Sequence, residues 1–256
     1  MPVMPPLYSR ALFQQVAGRA WRPGGTELTR HALDLCALPV GARVLDVGCG
    51  AGASLELLLE AGLRPVGLDI VCAVPPALRA AVVLAQGTAL PFAAGSMDAL
   101  LCECTLCLLG DTALALQAFA QCLRPKGYFV LCDMFLLAAG RGVGFASDAL
   151  GGQGAHCSCL QGARPRAELE ALLAQAGFRL LHFEDHTPRL RAMAAQLLWR
   201  GLSMTELLAQ AGLPLAQACT GQAGGRRYGY GLWHCIKADP KPFAAYKRSK
   251  KCTPCC

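Results

Sequence analysis

The stretch VLDVGCGAGA, Val44 to Ala53, decides how the rest of this chain is read. A short apolar run of strand type carries one acid, Asp46, and delivers the chain into Gly48, Gly50 and Gly52. The residues that follow, ASLELLLEAG, have the apolar spacing of a helix that stops at Gly62. Glycines between a strand and a helix let the backbone approach a ligand closely, and the helix start presents unpaired N–H groups. Seventeen residues past Gly52, a second apolar run, RPVGLDI, ends in Asp69. A carboxylate there can accept hydrogen bonds from both ribose hydroxyls of an adenosine ligand. Alone the loop is ambiguous, because Gly48, Gly50 and Ala53 also satisfy the dinucleotide spacing G-x-G-x-x-G/A.

Outward from the loop the chain alternates. AAVVLAQG reads as a third strand, MDALLCEC as a fourth, TALALQAFAQCL as a helix, and RPKG as a turn into a fifth strand, YFVLCDMF. On the N-terminal side, Thr26 is expected to cap a helix running to about Leu38. From Leu137 to Arg166 the sequence is rich in Gly, Ala and Ser and reads as a loop or lid. A helix (PRAELEALLAQAGF), a strand (RLLHFEDH), a helical excursion beginning PRLRAMAAQ and a closing strand (RRYGYGLWHCIKA) complete the order. Strands that are apolar throughout, alternating with helices, imply an α/β fold: a doubly wound, Rossmann-like parallel sheet covered on both faces. The expected organisation is an N-terminal cap over 1–39 and a binding core over 40–135. A lid, helical insertion and closing strands follow over 136–236, then a basic tail over 237–256.

Composition narrows the function. Hydrophobic residues make up 54% and charged residues 16% of 256, enough apolar content for one large folded core. No apolar run is long enough to span a membrane, and MPVMPPLYSR has no signal-peptide pattern, so the cytoplasm is the expected location. The net charge is +7, but six basic residues lie from Lys237 onward against the single Asp239. The body is therefore nearly neutral, and nucleic acid is not an expected partner. Fifteen cysteines, an odd number in a chain without an export signal, argue against a disulfide framework. Free cysteine packs as a small hydrophobe, and Cys36, Cys72, Cys122 and Cys132 are expected in the core.

Four features beyond the loop resolve its ambiguity. Asp46 stands two residues before the first glycine, LPFAAGSMDALLCE spans Leu90 to Glu103, LRPKG spans Leu123 to Gly127, and Asp69 lies between them. As an ordered set, over about Val40 to Phe135, these resemble the class I S-adenosylmethionine-dependent methyltransferases. That family has a seven-strand sheet, a D-x-G-x-G-x-G loop, a ribose acid, an L-P-F…S-F-D segment and an L-x-P-G-G turn. The resemblance implies S-adenosylmethionine as cofactor, with Asp46, Gly48, Cys49 and Gly50 around its methionine part and Asp69 and Ile70 at the ribose. It places Gln86, where relatives often have Asp, and Gly87 beside the adenine, with Cys102 at the end of the fourth strand. Met97 stands for the usual aromatic and Lys126 for the first glycine of the turn. Arg22 to Gly25, RPGG, either closes over the cofactor carboxylate or simply leads into a helix. Glu103 is the candidate for orienting or deprotonating the acceptor. The second half of the chain resembles a little-characterised bacterial branch associated with Cys-rich redox proteins, which makes such a protein a candidate partner.

The thiols leave alternatives open. Cys102, Cys104 and Cys107 fall at the strand end where open α/β sheets bind ligands. They pack, or they tune the site, or Cys104 and Cys107 join Cys157 and Cys159 of the lid to hold a small-molecule or thiol-linked acceptor, a soft metal or a metalloid. In KRSKKCTPCC, Cys252, Cys255 and Cys256 stand beside lysines that favour thiolate, either as a redox or metal-exchange arm or as an incidental tail. A competing function class follows: a thiol protein carrying a metal or metalloid on a degenerate version of this fold. His182 and His186 are separated by a strand-to-helix junction, and Asp185 and His186 are read as a helix cap rather than a metal pair.

Overall fold

The computed structural model describes residues 11–137, 159–203 and 227–238. Two helices open it, α1 (Ala11–Ala17) and α2 (Gly25–Cys36), followed by β1 (Arg43–Val47), α3 (Ala53–Glu60) and β2 (Arg64–Asp69). Then come β3 (Val82–Leu84), β4 (Met97–Glu103), α4 (Thr112–Cys122) and β5 (Leu123–Leu137). The remaining elements are α5 (Cys159–Gly162), β6 (Arg164–Pro165), α6 (Arg166–Gln175), β7 (Phe178–Asp185), α7 (Thr187–Trp199) and β8 (Arg227–Lys237). Seven strands form one sheet in the order β3-β2-β1-β4-β5-β8-β7, and the two-residue β6 pairs with β5 off that path. β1 to β5 run parallel, while β8 runs antiparallel to both β5 and β7. The expected doubly wound seven-strand sheet is present.

Alternation along the central strands builds two cores. Leu45, Val47, Leu100, Cys102, Phe129, Leu131 and Trp233 face α4 and α6. Their neighbours Val44, Ala99, Leu101, Val130, Cys132 and Leu232 face α2 and α3. Successive side chains of a strand point to opposite faces, so a strand apolar at every position fills both layers. In β8, glycines make room for rings: a β-carbon at Gly229 would lie 2.4 Å from Phe135, and one at Gly231 would lie 2.7 Å from Phe183. Phe135, Phe183 and Trp233 pack edge to face or tilted there.

Several local expectations are corrected. Thr26 lies inside α2, whose N-cap is Gly24 in left-handed backbone with no side-chain cap. RPKG is not a separate turn but the irregular start of β5, where pairing to β4 jumps from Met97–Leu123 to Ala99–Tyr128. Cys36, Cys122 and Cys132 are buried as expected, but Cys72 is exposed, because the chain between β2 and β3 runs over the surface. The N-cap of α7 is His186, with no side-chain cap, and Asp185 before it accepts the N–H of Thr187 at 2.8 Å. His31, His182 and His186 all direct Nε2 at the Glu184 carboxylate, at 2.8, 3.1 and 2.8 Å. Among the described residues no helix is long and apolar enough to cross a membrane.

Candidate active site

The glycine loop lies where β1 ends and α3 begins, between the ends of β2 and β4. Gly48 has φ 79°, and a β-carbon there would stand 2.0 Å from the Thr105 hydroxyl, so only glycine lets this loop meet the turn after β4. Asp69 at the end of β2 accepts the Gly50 N–H at 2.9 Å through one oxygen and the Val71 N–H at 3.2 Å through the other. The ring of Trp21, in the lead-in to α2, lies about 3.6 Å from the β-carbon position of Gly50 and covers the loop from above. Ile70 is exposed beside Asp69. Gln86 and Gly87 follow β3 on the same edge, with the Gln86 carbonyl accepting the Ala89 N–H. The Cys49 thiol turns inward against Gly67 and Leu55, its N–H donates to the Leu68 carbonyl of β2, and its carbonyl accepts the Gly52 N–H.

Two buried carboxylates stand at the strand ends. Asp46 is 2% exposed, and its Oδ2 has no hydrogen-bond partner among the described residues. Burial first, then the nearby Glu103 charge, push its pKa up to about 7 against the opposing pull of Arg22. Glu103 is equally buried but engaged: Oε2 is 2.8 Å from the Arg22 guanidinium and takes the Ser54 hydroxyl at 3.0 Å. Thr29 donates to its Oε1 at 3.0 Å, and Arg22 also bonds Thr29 and, at 2.9 Å, Ser54. This network joins the cap, through Arg22 and Thr29, to the first turn of α3 and the end of β4. The RPGG stretch therefore leads into α2 with its glycines while Arg22 turns inward to Glu103. Thr29 and Ser54 went unnoticed in the sequence because nothing in their spacing points to a residue of β4.

The thiols divide. Cys102 is fully buried in the core beside α4 and packs. The strand ends one residue later, and Cys104 takes left-handed backbone, φ 51°, which carries it to the other core. Its thiol lies 3.4 Å from the Tyr230 hydroxyl. Cys159 at the start of α5 directs its thiol at the Cys104 carbonyl oxygen, 3.7 Å away. Asp133 of β5 accepts the Cys107 N–H at 2.9 Å and is lifted to about 6 by burial. An acid inside the apolar run YFVLCDMF was a signal available in the sequence and not used. Cys157, Cys252, Cys255 and Cys256 lie outside the described residues. Among the described residues no three His, Cys, Asp or Glu side chains are arranged to hold a metal ion.

Residues 19–183, more than half of the chain, match the methyltransferase domain family. The chain belongs to the class I S-adenosylmethionine-dependent methyltransferases. This methyltransferase is 29% identical over 143 residues to the ubiquinone biosynthesis O-methyltransferase of Xanthomonas axonopodis pv. citri (strain 306), a match covering 48% of this chain and 59% of that protein. The methyltransferase thus spans less than two thirds of that relative's length. It is 28% identical to O-methyltransferase resE of Aspergillus sclerotiorum, over 79% of this chain and 78% of resE. Its fold matches phosphoethanolamine N-methyltransferase 2 of Haemonchus contortus, solved in complex with S-adenosyl-L-methionine. That match has a TM-score of 0.66 at 15% identity, covering 89% of this chain and 56% of that one.

Proposed function

We propose that this methyltransferase moves a methyl group from S-adenosylmethionine to a small-molecule acceptor held beyond the carboxyl ends of β4 and β5. The observation that carries the proposal is Asp46: a buried carboxylate oxygen without a partner, at the mouth of a glycine loop, calls for a donor from a ligand. The ammonium of the cofactor's methionine part is such a donor. Gly48 and Gly50 leave the backbone open to it, Asp69 accepts from the ribose, and Gln86 and Gly87 meet the adenine edge with Ile70 against its face. S-adenosylmethionine supplies a methyl carbon on a sulfonium that an acceptor nucleophile displaces in line.

The chain's own residues position and exclude water, which supplies most of the acceleration such a displacement needs. Trp21 and α2 cover the loop, and the Arg22–Glu103 ion pair holds them down. Glu103 has both oxygens engaged, so its role here is to position the cap rather than to deprotonate the acceptor. The relatives' activities, ubiquinone biosynthesis and O-methylation, favour a small molecule with an oxygen nucleophile. A thiol-linked acceptor or a Cys-rich redox partner would instead approach through Cys104 and Cys159, the partly exposed thiols of that side.

Calorimetric titration with S-adenosylhomocysteine tests the proposal. Binding by the wild type, weakened in Asp46→Asn, is the expected result. A chain that takes up arsenite or a soft metal but never binds S-adenosylhomocysteine would be a thiol carrier on a degenerate fold.

A further inference from the structure

Three of the chain's five histidines converge on one carboxylate, and the methyl-transfer chemistry proposed above uses none of them. His31 comes from the exposed face of α2, His182 from β7 and His186 from the N-cap of α7, with Glu184 midway between the last two in sequence. His31 Nε2 reaches both carboxylate oxygens, at 2.8 and 2.9 Å. His182 reaches one of them at 3.1 Å, and His186 reaches the other at 2.8 Å. The His31 and His186 rings meet edge to face, with centroids 6.4 Å apart. A fourth imidazole, His234 of β8, is the cross-strand partner of His182 and stacks on Tyr128. Among the described residues, the neighbouring charges are Arg30 and Glu27 of α2, and Arg189 and Arg191 of α7. Glu27 pairs with Arg189 at 3.2 Å, and Asp185 turns to the Thr187 N–H.

We propose that Glu184 is a positioning residue for the cap, and that its ring of histidines makes the hold on α2 tighten as the pH falls from about 8 to about 6. The inference rests on the reading that α2 and its lead-in cover the cofactor, because Thr29 of that helix and Arg22 before it join the cap to Glu103.

The charge count sets the sign. An ionised carboxylate only accepts hydrogen bonds and has about four lone-pair sites, so three imidazole N–H groups can bond it at once. With all three rings neutral the group carries a single negative charge. One added proton makes it neutral and turns one N–H···O contact into the shorter, stronger charge-assisted kind. Imidazole is the side chain that makes this change near neutral pH. Burial opposes the charge on Glu184, but the bonds from His31 and His186 outweigh it and hold its carboxyl below the usual carboxylate range. The anion is therefore present throughout. A base that gains an acidic partner on folding contributes stability on the acid side, and that contribution is lost as pH rises. Of the three rings only His31 belongs to the cap, whereas His182 and His186 belong to the elements it is held against. Part of the gain on protonation thus falls between α2 and the corner of β7 and α7. With side-chain exposures of 45% at His31 and 21% at Glu184, this clasp adds modestly to the buried Arg22–Glu103 pair and does not replace it.

Urea unfolding of the full chain without ligand tests the clasp, on wild type, His31→Ala, Glu184→Gln and the double variant, at about pH 8 and about pH 6. The amide in Glu184→Gln still accepts an imidazole N–H but carries no charge. His31 and Glu184 should be nearly uncoupled at the higher pH, and coupled by about two- to fivefold in the unfolding equilibrium at the lower. Asp46 is common to all four proteins, so its titration cancels from the cycle. Amide exchange in α2, corrected for the intrinsic effect of pH, should slow on acidification in wild type. It should quicken in Glu184→Gln, where the rings gain charge with nothing to balance it. Glu27→Gln, which loses the Arg189 link, should speed exchange equally at both pH values. S-adenosylhomocysteine should leave Glu184→Gln about two- to fivefold faster than wild type at the lower pH, and at the same rate at the higher. A coupling that is the same at both pH values, or equal release rates at the lower one, would overturn the clasp. A wild type that binds no S-adenosylhomocysteine would fault the methyl-transfer proposal, and the ligand-free urea cycle would still decide this one.

Discussion

Asp46 and Glu103 stand at the ends of adjacent parallel strands, both acids, both buried, and their surroundings could hardly differ more. Glu103 is met by a guanidinium and two hydroxyls, so its charge is compensated from three segments of the chain. Asp46 has an oxygen that nothing among the described residues satisfies. The sequence offered Glu103 for orienting or deprotonating the acceptor, and in the fold its carboxylate meets Arg22, Thr29 and Ser54.

The comparison breaks first at Arg22. Arg22→Met leaves Glu103 buried without its counter-ion, and stability to urea should fall by about 3–5 kcal/mol. The double variant Arg22→Met/Glu103→Leu should recover most of that loss. A single variant that unfolds at the wild-type urea concentration would show that the ion pair holds nothing.

Asp69 comes next. Its carboxylate orients the Gly50 N–H as well as the expected ribose contact, so Asp69→Ala should cost about 2–4 kcal/mol of S-adenosylhomocysteine affinity, read by calorimetry. Equal affinities would remove Asp69 from the cofactor site.

A third effect is a pH dependence that separates the two acids. With its pKa raised to about 7, Asp46 is protonated below neutrality in the free protein. A ligand ammonium binds the carboxylate form, so affinity should rise with pH up to about 7, by at most roughly tenfold per unit, and then level off. Asp46→Asn should flatten that rise. Without ligand the sign reverses: a raised folded pKa contributes stability that is full below the unfolded value near 4 and is lost as pH climbs through about 7. Parallel pH curves for wild type and variant would mean that Asp46 does not titrate there.

The smallest effect belongs to the surface. His31 reaches Glu184 from a position 45% exposed, and His31→Ala should change stability by no more than about 1 kcal/mol in thermal melts. A larger loss would mean that this exposed clasp, and not the buried pair, anchors α2.

What was legible in the sequence was local. Strand, glycine loop, helix and following acid are neighbours in the chain, and each carries its own signal, so Asp46, Gly48, Gly50 and Asp69 could be placed together. Arg22 and Glu103 could not be paired, because the cap reaches β4 only through tertiary packing of α2. The thiols beyond β4 were half legible. Cys104, Cys107 and Cys159 were named together, but the left-handed turn that brings Cys104 over and the acid at Asp133 were not. Cys72 was misplaced because an isolated thiol in a short apolar run looks the same whether the run packs or crosses the surface.

Strand β8 is the last described strand in sequence, yet it lies inside the sheet, between β5 and β7. Tyr230, Leu232 and Trp233 complete both cores from that position. On the ribosome, β1 to β5 can emerge and pair in order while the β5 edge stays open. That edge exposes unpaired backbone and the rings of Phe129 and Phe135 until Arg227–Lys237 has been made. A ribosome pausing before that strand would leave that border open to chaperones or to other nascent chains. Tyr230, which the Cys104 thiol contacts, belongs to that last-made strand.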